Sequence, residues 1–218
     1  MKLHPNKKTL LNYFMYYGWA IIVFAIVSFA SLTLILSAVN KIYDHQRFSI
    51  FFSAYGLKEE RFKSELLDEL KDDGVIEINY FDYPCNSDQI VTYYDVYGEK
   101  SDINILSETD IKDMQQYVGD YFINITGYLK TELNLSNNYT YYSYDEKPYA
   151  IKIYDKDDNS YNDKFIYQEW INFSKGELTD NFYILLRRNS INFGEYGDKN
   201  KTTNAIKGLR YLINENTK

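Results

Sequence analysis

The chain has only two histidines, one cysteine, three prolines and ten scattered glycines among its 218 residues. His4 and His45 flank a long apolar run near the start, so the region beyond has no imidazole to act as the base of a Ser-His-Asp or Cys-His site. A zinc site built from His and Cys is excluded by the same shortage. Cys85 has no second cysteine to pair with, which leaves the fold to be held by its core alone. It reads either as a small buried side chain or as a thiol on the loop after a strand. No glycines fall into G-x-G-x-x-G or a P-loop, and the backbone cradle of those phosphate sites is therefore missing. Acidic residues are absent from one end only: all 31 lie after position 40.

What is present is uneven. From Thr9 to Asn40, 32 consecutive residues carry no formal charge. Within them Tyr13 to Val39 would make a helix of about 40 Å, against roughly 30 Å of hydrocarbon to cross. The positively charged start resembles a signal peptide, but such peptides have an apolar run of only about 7 to 15 residues. Ser37-Ala38-Val39 is also a poor cleavage site, so the reading is an uncleaved anchor over 13–39 rather than a cleaved signal or a buried core helix. Tyr13, Tyr16, Tyr17 and Trp19 crowd one end, as rings do at the headgroup level. Lys2, Lys7 and Lys8 precede the span, while Lys41 and Arg47 follow it with Asp44 between them. That bias predicts a cytoplasmic segment 1–12 and an extracytoplasmic domain over 46–218.

The 178 residues after position 40 hold 31 acids against 21 Lys and Arg, the total of 24 less Lys2, Lys7 and Lys8, for a net charge of −10. Nucleic acid as a partner is excluded on that balance, because phosphate binding needs cations to displace counterions. In this region 47–53 is β-rich, and 57–73 carries helical spacing with Phe62, Leu66, Leu67 and Leu70 on one face and Gly74 as a stop. Residues 75–81 alternate as a strand closed by Asp82-Tyr83-Pro84, 87–97 suits a helix, and 102–106 reads as a third strand. Ser107 or Thr109 caps a further short helix. The order β-α-β-α-β-α predicts an α/β domain with a parallel sheet. Later strands are expected at 139–144, 149–154, 165–171 and 182–186, with a final helix over 203–214; 117–135 is ambiguous.

Paired carboxylates such as Glu59/Glu60, Asp68/Glu69 and Asp72/Asp73 lie on a solvated helix face and give no acid-base site. Asp155, Asp157 and Asn159 match the first ligand positions of an EF-hand loop, but Ser160 and Ile166 stand where Gly and Glu are needed, and a polar turn fits better. Arg187-Arg188 ends a strand and is expected to meet solvent. The 24 tyrosines suit stacking on sugars or reflect a compositional bias. Neither a catalytic group, a metal site nor a cofactor is predicted.

The succession FSIFFSAYG (48–56), IEINYFDYP (76–84) and SDINILSETDI (101–111) resembles the first lobe of type II periplasmic-binding-like proteins. YAIKIYD (149–155) and FYILLRRNSINFG (182–194) resemble strands of shortened, membrane-anchored extracellular solute-binding relatives. The resemblance implies a binding fold with a reduced second lobe, a small-molecule or sugar ligand held without covalent chemistry, and an ABC-type transporter beside it. The alternative is an envelope scaffold that has lost its cleft and contacts another envelope protein. A site in such a fold lies beyond the carboxyl ends of parallel strands. Ser53 and Tyr55, Asp82 and Tyr83, and Ser107 and Glu108 are the candidates there, for hydrogen bonding and ring stacking.

Overall fold

The computed structural model describes residues 7–85, 88–125, 130–131, 139–158, 160–161, 171–175, 178–193 and 203–213. They fall into two compact units, 1–42 and 43–218. The first is the helix α1, Lys7–Val39. Within its stretch Met15–Val39 an 18-residue segment has a mean hydropathy of 2.5 with none of it buried, so the helix is long and apolar enough to cross a membrane. Thr33 lies inside this stretch, and its hydroxyl donates to the Phe29 carbonyl at 2.6 Å, satisfying a polar group within the helix itself.

The second unit is built on a seven-stranded mixed sheet. Its longer strands are β1 (Arg47–Ala54), β2 (Glu77–Pro84), β3 (Ile103–Ser107), β4 (Tyr141–Tyr144), β5 (Lys147–Asp155) and β6 (Phe182–Leu186), in the spatial order β2-β1-β3-β6-β5-β4. The two-residue strand Ser160–Tyr161 pairs with β5. Both neighbours of β1 run parallel to it, as the β-α-β-α-β order predicts. From β6 onward the pairings are antiparallel. The described strands of the second half of the chain, β4 to β6, therefore extend the first sheet.

Five helices complete this unit among the described residues: α2 (Glu59–Leu70), α3 (Ile90–Tyr97), α4 (Glu108–Asp113), α5 (Val118–Tyr121) and α6 (Asn204–Ile213). Phe62, Leu66 and Leu70 of α2 share one core with Ala205, Ile206, Leu209, Leu212 and Ile213 of α6 and with Phe48, Ile50 and Phe52 of β1. Tyr94 of α3, Ile111 of α4 and Val118 of α5 join Phe51 on the other face. The alternation along β1 thus feeds two cores and places Ser49 and Ser53 on the second face beside Phe51. Gly74 ends the α2 segment at φ 85°, a left-handed conformation that glycine adopts without a Cβ penalty.

Two expectations change, and a third falls outside the described residues. Asp82, Tyr83 and Pro84 do not close β2 but belong to it, pairing with Phe52, Ser53 and Ala54 of β1. Pro84 is tolerated because β2 is an edge strand. Arg187 does not meet solvent: it is 7% exposed and donates to the Gly98 carbonyl at 2.8 Å. The strand expected at 165–171 lies outside the described residues except for Ile171.

Candidate functional site

Sheet order makes β1 the switch point, with β2 on one side and β3 on the other, so a crevice is expected beyond the carboxyl ends of β1 and β3. That place is filled by the chain's own polar groups. The Ser53 hydroxyl, at the end of β1, donates to Oδ2 of Asp110. The Ser107 hydroxyl, at the end of β3, donates to the same oxygen at 2.7 Å and accepts from the Asp110 N–H at 3.0 Å. Ser107, one of the two caps expected, is thereby the N-cap of α4. All three side chains are wholly buried. The segment leading into β6 closes the top: the Asp180 carboxylate accepts from the Thr109 N–H at 3.0 Å, and the Asn181 carbonyl accepts from the Glu108 N–H at 2.8 Å.

Tyr55 and Cys85 border this lock. The Cys85 thiol hydrogen-bonds to Ser107 and Tyr55, yet burial and the Asp110 charge push it up to about 11. It stays protonated at neutral pH and is no nucleophile. Burial foremost, then Cys85 and the nearby Asp180 and Asp110, also raises the Tyr55 phenol well above its ordinary range. The six predicted residues divide accordingly. Ser53, Tyr55 and Ser107 converge on the lock, and Glu108 sits at its rim, paired with Lys112 at 2.5 Å. Asp82 is exposed and is not brought there. Tyr83, the partner of Ser53, shares its face but is buried in the second core, its ring tilted 35° against that of Tyr93 with centroids 4.3 Å apart.

A cleft of about 440 Å³ opens at the opposite, amino-terminal end of β1. Asp102 lies buried in its wall. Oδ2 accepts from the Ser49 N–H at 2.7 Å and from the Asn192 amide at 3.1 Å, and Oδ1 accepts from the Ser190 hydroxyl at 2.5 Å. Asp102 is only 4% exposed. Desolvation outweighs the hydrogen bonds from Ser190, Ser49 and Asn192 and the charge of Arg187, raising the carboxyl to about 6. Asn79 and Phe81 of β2 line the same cleft, as residues two apart on one strand face must. The turn 189–192 that follows β6 lines it as well. This turn is anchored behind the cleft too, since the Asn192 carbonyl accepts from the Ala205 N–H at the start of α6 at 2.7 Å.

No family model matches the chain, and no curated protein or solved structure does either. Its function must be read from these two sites. Sequence reasoning missed Asp110, although a serine followed three residues later by an acid is a capping pattern. Asp102 had no local signal, because its partners Ser190 and Asn192 come about ninety residues later. The aspartates after β5 form no ion site among the described residues: Asp155 is taken by Lys152 at 2.5 Å and accepts from the Asp157 N–H at 3.0 Å.

Proposed function

We propose that the chain is a single-pass membrane protein whose second unit binds a small polar solute without chemistry. In this reading α1 crosses the bilayer with its lysine-bearing end in the cytoplasm, and residues 43–218 lie outside, beside an ABC-type transporter that receives the solute. The carrying observation is the Asp102 cleft, about 440 Å³ in volume and lined by amides, hydroxyls, one aromatic ring and charged side chains that include Arg47, Glu99 and Lys100. Its size falls in the roughly 300–1,000 Å³ range of ligand clefts. The domain's acidic balance disfavours nucleic acid as the ligand.

A second reading, an envelope scaffold with a lost cleft, is favoured by the lock of Ser53, Asp110 and Ser107 across the switch point. Thermal unfolding of the full chain in lipid nanodiscs separates the two. A bound solute stabilises by about 2.7 kcal/mol at a hundredfold excess over Kd. Saturable stabilisation by any sugar, amino acid or inorganic ion, weakened by a change in the Asp102 cleft, supports the binding protein. No stabilisation, together with a cross-linked envelope protein as partner, supports the scaffold.

A further inference from the structure

We infer that the Asp102 cleft is a site for a neutral carbohydrate of one or two rings, an assignment that rests on the binding reading above. Several of the cleft's charges are met by neighbouring side chains. Arg47 is held by Glu77 at 3.0 Å and faces Asp44 at 4.0 Å. Glu99 faces Arg187 at 3.9 Å. Both oxygens of Asp102 are occupied by donors from the protein. Of the two cations that line the cleft, Arg47 is ion-paired, and Lys100 is in no ion pair among the described residues. A single exposed ammonium on a flexible stem is a weak clamp for phosphate or carboxylate, which favour the fork of an arginine.

The neutral groups are better placed. Asn79 and Asn189 present amides, each of which donates and accepts. A sugar hydroxyl also donates and accepts, so amide and hydroxyl satisfy each other without any charge change. Phe81, half-buried on the strand face that carries Asn79, supplies a flat apolar surface for the C–H face of a pyranose ring. Asn189 is exposed on the turn that lines the same cleft, so a ligand touching both it and Phe81 meets polar groups at its edge and a ring on its face. Asp102 acts behind this surface as a positioning residue, holding the turn through Ser190 and Asn192.

The test is isothermal titration calorimetry on the full chain in nanodiscs, which avoids glycoside detergents, with glucose, maltose, glutamate and inorganic phosphate as probes. The expected result is saturable binding of at least one sugar, weakened tenfold or more in both Asn189→Ala and Phe81→Ala, with glutamate and phosphate inert. Asn189 is exposed, so its variant keeps the fold and isolates the contact; circular dichroism checks the Phe81 variant. Sugar affinity unchanged in Asn189→Ala overturns the assignment. Binding of glutamate or phosphate but not sugar overturns the ligand class and leaves the binding reading standing. Binding of none of the four to a folded chain overturns the ligand class, and the binding reading falls with it if the wider solute screen is also silent.

Discussion

Asp102 and Ser49 exchange two hydrogen bonds: the Asp102 N–H donates to the Ser49 carbonyl, and the Ser49 N–H donates to the Asp102 carboxylate, each at 2.7 Å. The recorded pairing of β1 with β3 begins one residue later, at Ile50 and Ile103. A side chain therefore completes the ladder where the backbone does not, and it does so with a charge. Ser190 and Asn192 attach the turn after β6 to that same carboxylate. Local pairing, the cleft wall and the seat of α6 all meet at one buried acid.

Stability should depend on pH through this group. Burial lifts the Asp102 carboxyl from 3.8 to about 6, so the folded state holds its proton more tightly than the unfolded state. The group's contribution is full below about pH 4 and is lost as pH rises through 6, a few kcal/mol in all. Urea unfolding at pH 4, 5, 6 and 7 should show the wild type losing stability over this window relative to Asp102→Asn, whose slope lacks the titration. Parallel slopes for the two proteins would refute the assignment.

Removing the carboxylate altogether is a different perturbation. Asp102→Ala leaves the Ser49 N–H, the Ser190 hydroxyl and the Asn192 amide short of an acceptor, and a buried unsatisfied group costs about 1–3 kcal/mol. A drop in the urea midpoint is expected. Faster amide exchange at Ala205, whose N–H is held by the Asn192 carbonyl, should accompany it.

At the other end of the sheet, Ser107→Ala removes both the cap of α4 and one of the donors to Asp110. The expected loss is about 1–2 kcal/mol. A double-mutant cycle with Ser53→Ala should be non-additive, because the two hydroxyls share one oxygen. Additive losses would mean that the lock does not act as a unit.

The Cys85 thiol, raised to about 11, should react with iodoacetamide at pH 8 on the order of a hundredfold more slowly in the folded protein than in urea. Equal rates would show that the thiol is neither buried nor bonded as described.

Gly208 sets helix propensity against packing. Alanine there favours a helix by about 1 kcal/mol, but its Cβ would run into the Phe48 ring of β1. Overpacking costs about 1–3 kcal/mol, so Gly208→Ala should destabilise in spite of its propensity. A more stable variant would show that α6 and β1 can shift apart at no cost.

Patterns carried by neighbours along the chain were legible from the residues alone. The uncharged run from Thr9 falls within the helix Lys7–Val39, which satisfies its backbone groups internally, as an apolar segment requires. The apolar spacing over 57–73, the Gly74 stop, the Ser107 cap and the strand Phe182–Leu186 came out as read, since periodicity and capping are short-range. The final helix buries the five apolar residues that its spacing places on one face. Tertiary structure decided the rest. Asp82 and Tyr83 look like a turn before a proline, yet pairing with β1 carries the strand through them and sends their side chains to opposite faces. The later strands could have built a lobe of their own, but antiparallel pairing of β6 with β3 joined them to the first sheet. The burial of Asp102 and Asp110 was settled in the same way, by partners on other strands and turns. An acid's environment depends on what the folded chain brings to it, and spacing along the sequence does not record that.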